Sequence, residues 1–408
     1  MSEAPLAPAD APTVLIVGGG AAGLLTAYRL LGRRRIVLLE AAPRLGGAVE
    51  ARAQDGHHVD VGARFFSRGT HPTFAAFVDA LGLPIGPEPI DVTLHDVRRG
   101  GSVVLPPSTP AQVGAIARRP ARARQLLRFR KLMSEVEDLV AGEDWGPTLR
   151  ELQRRLGWTS DFHERLLAPW AGASLGAHNH ELAELAAYPI MRHFLEHQPE
   201  GAARPVWAKL PGGVGAVAGA IATRLAGRED VTVRTGAAVQ AIFREGAGWR
   251  VRHEAGEATG EAVVVALPAE VAAPLLPAEL GSRLAPFRYG DVDVVVHGDP
   301  SWMPKKRADW SLYTVLDRGD HGVATVWEGR ERRADLFMSW CPAGARPGRV
   351  LHVRRHRVWR PTPDCGPAQK ALAERQGAEG LFLAGSYTAG IDTLESAARS
   401  AEAVSAAL

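Results

Sequence analysis

Three glycines, Gly18, Gly20 and Gly23, stand in the order G-x-G-x-x-G between an apolar run, Val14–Val17, and an alanine- and leucine-rich stretch, Ala21–Leu31. Glycine at the first position permits a tight turn. At the second it removes a side chain where backbone must approach a pyrophosphate, and at the third it lets a helix pack close to a strand. The run before the turn suits a strand buried on both faces, and the stretch after it, with Ala22 in its first turn, has helix-forming composition. A helix starting there offers free N–H groups and a positive dipole end to phosphates.

A second apolar strand, Arg35–Leu39, ends in Glu40, seventeen residues after Gly23 and twenty-two after Gly18. A carboxylate at that distance accepts hydrogen bonds from the hydroxyls of a ribose and repels the extra phosphate of NADP. Strand, glycine turn, helix, strand and acid together predict a dinucleotide-binding βαβ unit rather than a bare turn. Of the later glycine turns, Gly212 to Gly219 lacks this spacing, and no C-x-x-C is present, so one dinucleotide is expected and no second nicotinamide site.

These elements need a large frame. A chain of 408 residues is long for one core, which predicts two domains. The 48 basic against 45 acidic residues are too evenly balanced to imply nucleic-acid binding. Two cysteines, Cys341 and Cys365, offer neither metal spacing nor a disulfide framework, which suits a reducing, cytoplasmic setting. The first twelve residues are polar and Pro/Ala-rich, expected to be disordered and unlike a signal peptide, and no apolar run is long enough for a membrane span.

Along the chain, a helix is expected near Phe74–Leu81, strands near Val92–Leu105, and a helical region from Ala111 to Gln198, broken at Pro120, Pro147 and Pro169. A glycine turn into a helix at 209–225 precedes strands through Pro268; residues 282–360 alternate strands and turns; and a buried strand, Leu381–Ala384, leads into a final helix from Leu394. The α/β pieces are thus discontinuous. The expected division is a disordered 1–12, a nucleotide-binding domain of 13–95, 205–280 and 361–408, and a substrate domain of 96–204 and 281–360.

This arrangement resembles the flavin-containing amine oxidase superfamily, which also holds protoporphyrinogen oxidases and phytoene-type desaturases, and the likeness covers nearly the whole chain. "RLGG" matches the family's R-x-G-G turn at Arg44, Gly46 and Gly47, and "VDVGARFF" is similar to its D-x-G loop beside the flavin, at Asp60, Gly62, Ala63 and Arg64. "LPGGVGAV" looks like the turn returning the chain to the FAD domain, and Val239 stands where family backbone contacts adenine. "FLAGSYTAGIDTLESAARSAEAV" matches the closing strand–loop–helix. There Gly385 and Ser386 approach the pyrophosphate or ribityl, and a helix beginning at Thr393 and Leu394 aims its N-terminus at the flavin. "FHERLLAPWAGASLG", "FLEHQPEGAARPVWAKLPGG" and "DVVVHGDPSWMPKKRADWSLYTV" look most like compact FAD-binding oxidoreductases linked with fatty-acyl modification or secondary metabolism.

The resemblance implies an α/β fold: a discontinuous Rossmann-like FAD domain of the glutathione-reductase type, with an α+β substrate domain of mixed sheet and helices. It implies FAD as cofactor and no metal. The family's flavin-facing lysine falls on Asp293, a carboxylate that accepts rather than donates and would serve as a base or an anchor for a substrate cation. Asp291 and Asp293 equally fit the outer face of the alternating strand DVDVVV. Of the family's paired aromatics, one maps to Thr393 and the other to Trp359, which also reads as a packed strand aromatic. His297 and His356 are candidate cavity bases. His178 and His180 lack a further ligand nearby in sequence. The basic run 118–131 is either a solvated helix face, a peripheral contact with an anionic membrane, or a surface that meets a carboxylated substrate.

The expected function is FAD-dependent hydride removal from a C–N or C–C bond of a small, partly apolar metabolite to flavin N5, with reoxidation by O2 or another acceptor. A desaturase or isomerase acting on an acyl chain, or a non-catalytic FAD-binding protein, are the other expectations.

Overall fold

The computed structural model describes residues 4–196, 206–342 and 344–408. The segment boundary expected at 204/205, Gln198, and part of the stretch "FLEHQPEGAARPVWAKLPGG" lie outside the described residues.

Five parallel strands form the nucleotide-binding sheet, in the spatial order Leu381–Leu383, Ala262–Val265, Thr13–Val17, Arg35–Leu39 and Val231–Arg234. The strands pair in register, Val14 opposite both Ile36 and Ala262, so alternate residues of each face the same side. Val14, Ile16, Ile36 and Leu38 pack under the helices Ala21–Leu30, Gly215–Leu225 and Leu394–Ala407. Leu15, Val17, Val263 and Val265 pack on the other face with Ile242, Trp249 and Val251 of an antiparallel three-stranded sheet. Both faces are covered, which is why these runs are apolar without a break.

The second sheet has seven strands in the order Val350–Arg360, Arg288–His297, Phe337–Pro342, Gly322–Trp327, Tyr313–Asp317, Val92–Asp96 and Ser102–Leu105. Its neighbours are antiparallel except for Tyr313–Asp317 beside Val92–Asp96. Helices Pro120–Glu135, Ala168–Leu175 and Ala187–Glu196 share one core with it. The fold is therefore α/β with a mixed-sheet second part.

Three features differ from the reading of the sequence. Val92–Asp96 was expected at the end of the nucleotide-binding segment, but it pairs into the seven-stranded sheet. Pro169 does not end its helix. The five residues before Ala168, His163–Leu167, widen into a π turn, which relieves the clash a proline ring makes with the preceding turn. Ala4–Pro12, expected to be disordered, is tied down: Ala7 is buried and its N–H donates to Asp230 Oδ2 at 2.8 Å.

Candidate active site

A cavity of about 1370 Å³ opens beyond the carboxyl ends of the parallel strands, walled by Gly18, Glu40, Ala266 and Ala384. Ligands of open α/β sheets sit in this crevice. A single drug-sized ligand occupies roughly 300–1,000 Å³, so this space is large enough for a dinucleotide and a second molecule.

The glycine turn divides its tasks. A Cβ on Gly18 would strike the Ala266 carbonyl, and Gly18 holds φ +104°; a Cβ on Gly23 would strike the Gly18 carbonyl. Gly20 has φ −75° and ψ −171°, open to any residue, and a Cβ there meets nothing within 4 Å. The protein's own packing needs glycine at 18 and 23. At 20 the space a side chain would take is cavity, on whose wall Gly20 lies.

Helix Ala21–Leu30 has no side-chain N-cap, so its first N–H groups keep no partner from such a cap and open where Ala21 and Ala22 line the cavity. The final helix also begins on the cavity wall, at Leu394, with Thr393 Oγ1 capping Ser396 N–H at 3.1 Å. Tyr387 lines the same space, while its buried hydroxyl has no hydrogen-bond partner among the described residues. A clear Gly20 position and two helix starts on one cavity make the residues present fit a phosphate-bearing cofactor of the FAD type.

The other candidate cofactor residues fall into two groups. Gly47, Gly62, Ala63, Arg64, Gly385 and Ser386 line the cavity with Gly18, Gly20, Ala22, Glu40, Thr393 and Leu394. Gly23, Arg44, Gly46 and Val239 do not line it; they lie behind its wall. Gly46 N–H donates to the Gly19 carbonyl at 2.8 Å, Arg44 pairs with buried Glu50, and Val239 opens the strand after Ala237, whose N–H donates to the Glu40 carbonyl. Arg64 bridges Glu88 and Glu328 at 3.2–3.3 Å. Asp60 accepts from Val214 N–H at 2.8 Å, joining the D-x-G loop to the P-G-G turn, and burial pushes its carboxyl up to about 7.

Beyond the loop the wall is aromatic, with Tyr289, Tyr313, Trp340 and Trp359 from the sheet and Phe129, Trp170 and Phe194 from the helices. Trp359, one of three candidate catalytic residues, is on this wall. Asp293 and His297 are not, which corrects their assignment; over Val292–His297 register gives the reason, while Tyr289 and Trp359, of the same parity as Asp293, reach the cavity from the strand ends. Val294 lies opposite Trp340 and Val296 opposite cavity-lining Met338, whereas Asp293 lies opposite Cys341 and His297 opposite Phe337. Directly opposed residues share a face, and successive ones alternate. Asp293 accepts Arg355 Nε at 2.8 Å and Arg346 at 3.2 Å, bonds that hold its carboxyl below the usual range against the opposing effect of burial. His297 Nε2 meets Ser339 Oγ at 2.8 Å, and burial pushes the ring down to about 4.

Among the described residues three histidines line the cavity, His71, His193 and His356, and the last of these is a candidate base from the sequence. His356 sits opposite Val292, its Nε2–H donates to the Val61 carbonyl at 2.6 Å, and it stacks on Trp340 at 6.1 Å. Burial lowers its pKa, so the ring is neutral and Nδ1 carries a lone pair. Of the two candidate cavity bases read from the sequence, His297 and His356, it is the one on the wall.

His178 meets Asp320 and His321 rather than His180 as a cluster, one donor atom from each within 4.8 Å of the others; none of the three lines the cavity. Cys341 and Cys365 are buried and free.

With this geometry established, likeness to known proteins follows. The sequence matches the flavin-containing amine oxidoreductases over residues 21–361. It is 31% identical to putrescine oxidase of Kocuria rosea over 159 residues, 38% of this chain and 30% of that protein. The chain therefore aligns with about a third of the length of such curated relatives. Among solved structures, cyclohexylamine oxidase from Brevibacterium oxydans superposes with TM-score 0.72 at 17% identity, covering 97% of this chain and 98% of the other. A fatty acid isomerase from P. acnes gives 0.70 at 12% identity, again over 97% and 98%.

Proposed function

Since this chain belongs to the flavin-containing amine oxidoreductases, we propose that it is an FAD-dependent enzyme oxidising a C–N or C–C bond of a partly apolar small molecule. One observation carries the reading: a single cavity joins the glycine turn and two helix starts to a lobe walled by aromatic side chains. FAD, when bound, supplies a two-electron acceptor for a hydride from a substrate C–H bond. The N–H groups of helix Ala21–Leu30 would hold phosphate, Glu40 the ribose, and Leu394 at the final helix start the region where negative charge collects. Trp340, Trp359 and Tyr313 exclude water and orient the substrate by contact area. His356 Nδ1 is a neutral acceptor available for a substrate proton, and its Nε2–H bond to Val61 fixes the tautomer.

A second reading, double-bond migration or insertion in an acyl chain, is favoured by the aromatic, largely apolar wall of the lobe. Anaerobic incubation of the yellow protein with a metabolite extract separates the two. Loss of flavin absorbance with a consumed compound found two hydrogens lighter supports oxidation. Product of unchanged mass supports double-bond migration, a two-hydrogen loss located within an acyl chain supports insertion, and an unchanged spectrum with nothing consumed contradicts both readings.

A further inference from the structure

We propose that the substrate carries an anionic group on an apolar body, and that Arg130 receives that group at the aromatic end of the cavity; this rests on the functional reading above. Leu126, Phe129 and Arg130 are spaced i, i+3, i+4 on helix Pro120–Glu135 and line the cavity from one helix face. Phe129 stacks on Trp170 with ring centres 5.1 Å apart and planes 16° apart, and meets Phe194 edge-on at 5.3 Å. Trp170 and Phe194 close the third side at 5.4 Å. The three rings pack on one another and form an apolar patch of the cavity wall, with Arg130 next to Phe129.

The charges on the wall are otherwise committed. Glu40 accepts the Gly19 and Ala42 N–H groups, Arg64 holds Glu88 and Glu328, Arg357 holds Glu270 and Asp291, and Asp392 accepts the Ser386 hydroxyl. Arg130 makes no hydrogen bond or ion pair among the described residues. Of the two carboxylates on the wall, Glu40 stands at the glycine turn, and Asp392 accepts from Ser386 and borders Trp359. Beside Arg130 an ammonium would meet a like charge, whereas a carboxylate, sulfate or phosphate would match the planar donor fork of arginine. Arg130 is exposed, so it stands at the solvent side of the cavity wall, where a charged group can reach it without full desolvation. The basic run 118–131 thus contributes Leu126, Phe129 and one basic residue, Arg130, to the cavity wall.

The test is calorimetric titration of the FAD-loaded protein with dodecanoate, dodecyl sulfate, dodecanol and dodecylamine. Dodecanoate or dodecyl sulfate should bind about tenfold tighter than dodecanol, dodecylamine weakest, with the anion preference shrinking as salt rises. Arg130→Gln should bring the anions to the dodecanol value while leaving dodecanol unchanged, and Arg130→Lys should keep most of the preference. Whichever of the two anions binds tighter names the headgroup. Dodecylamine binding as tightly as the anions, an Arg130→Gln protein with unaltered anion affinity, or no binding by any probe overturns the proposal. If the charge preference holds while no metabolite bleaches the flavin, the functional reading fails and the anion site stands.

Discussion

Glu40 Oε2 accepts the Gly19 N–H at 2.6 Å while its Oε1 accepts the Ala42 N–H at 2.7 Å. The carboxylate at the end of the second strand therefore ties the glycine turn to its neighbouring loop before any ligand arrives. Two bonds to an ionised acceptor contribute on the order of 1.5–3 kcal/mol each, more when the acceptor also meets ribose hydroxyls. Glu40→Ala should lower both the thermal midpoint of flavin-stripped protein and the flavin content after purification. A mutant purified fully flavinated, with an unshifted midpoint, contradicts the assignment.

Gly20 and Gly23 should part company on substitution. Gly23→Ala places a methyl against the Gly18 carbonyl and should cost about 2–3 kcal/mol, read by denaturant unfolding of the stripped protein. At Gly20 a Cβ meets no protein atom within 4 Å, so Gly20→Val should leave the same unfolding curve within about 0.5 kcal/mol. Equal destabilisation by both would mean that the space beside Gly20 is packing rather than a ligand site.

Asp293 is a structural anchor on the outer face of the sheet. Asp293→Ala should remove about 1–2 kcal/mol of stability, since its arginine partners are more than half exposed and return to water. Flavin reduction by any substrate found should stay within about twofold of the parent. A rate loss of several orders of magnitude at unchanged stability would return Asp293 to the active site.

His297 supplies a pH signature. Its folded pKa is about 4 against an unfolded value near 6.5. Below pH 6.5 the unfolded chain takes up this proton first, so the associated stability is complete above that pH and drains away as pH falls towards 4, on the order of 3 kcal/mol in all. His297→Gln should flatten that part of the stability profile. Parallel profiles for mutant and parent contradict the buried, neutral assignment.

The nucleotide-binding half was legible because each of its signals is local. Spacing of Gly18, Gly20 and Gly23, the acid at Glu40 and the apolar strands all follow from bonds made within a few residues or between parallel neighbours. The substrate half was not. Alternation in DVDVVVH separates Asp293 and His297 from Val294 and Val296, but nothing in a period of two says which face looks inward when both are buried. That choice is made by pairing with Phe337–Pro342 and Val350–Arg360, forty and more residues away, and it selects His356. Phe129, Trp170 and Phe194 meet only through the packing of three helices, so no single stretch announced them. Pro169 misled for a related reason, since the π turn that accommodates it lies in the residues before it.

Titration of flavin-stripped protein with FAD, followed by quenching of the flavin's fluorescence, tests the account most directly, run on the parent and on Gly20→Val. The account predicts saturation at one FAD per chain for the parent and no uptake by a Gly20→Val protein that is otherwise folded. A parent chain that leaves the fluorescence unchanged, or a Gly20→Val chain that takes up FAD as the parent does, contradicts it.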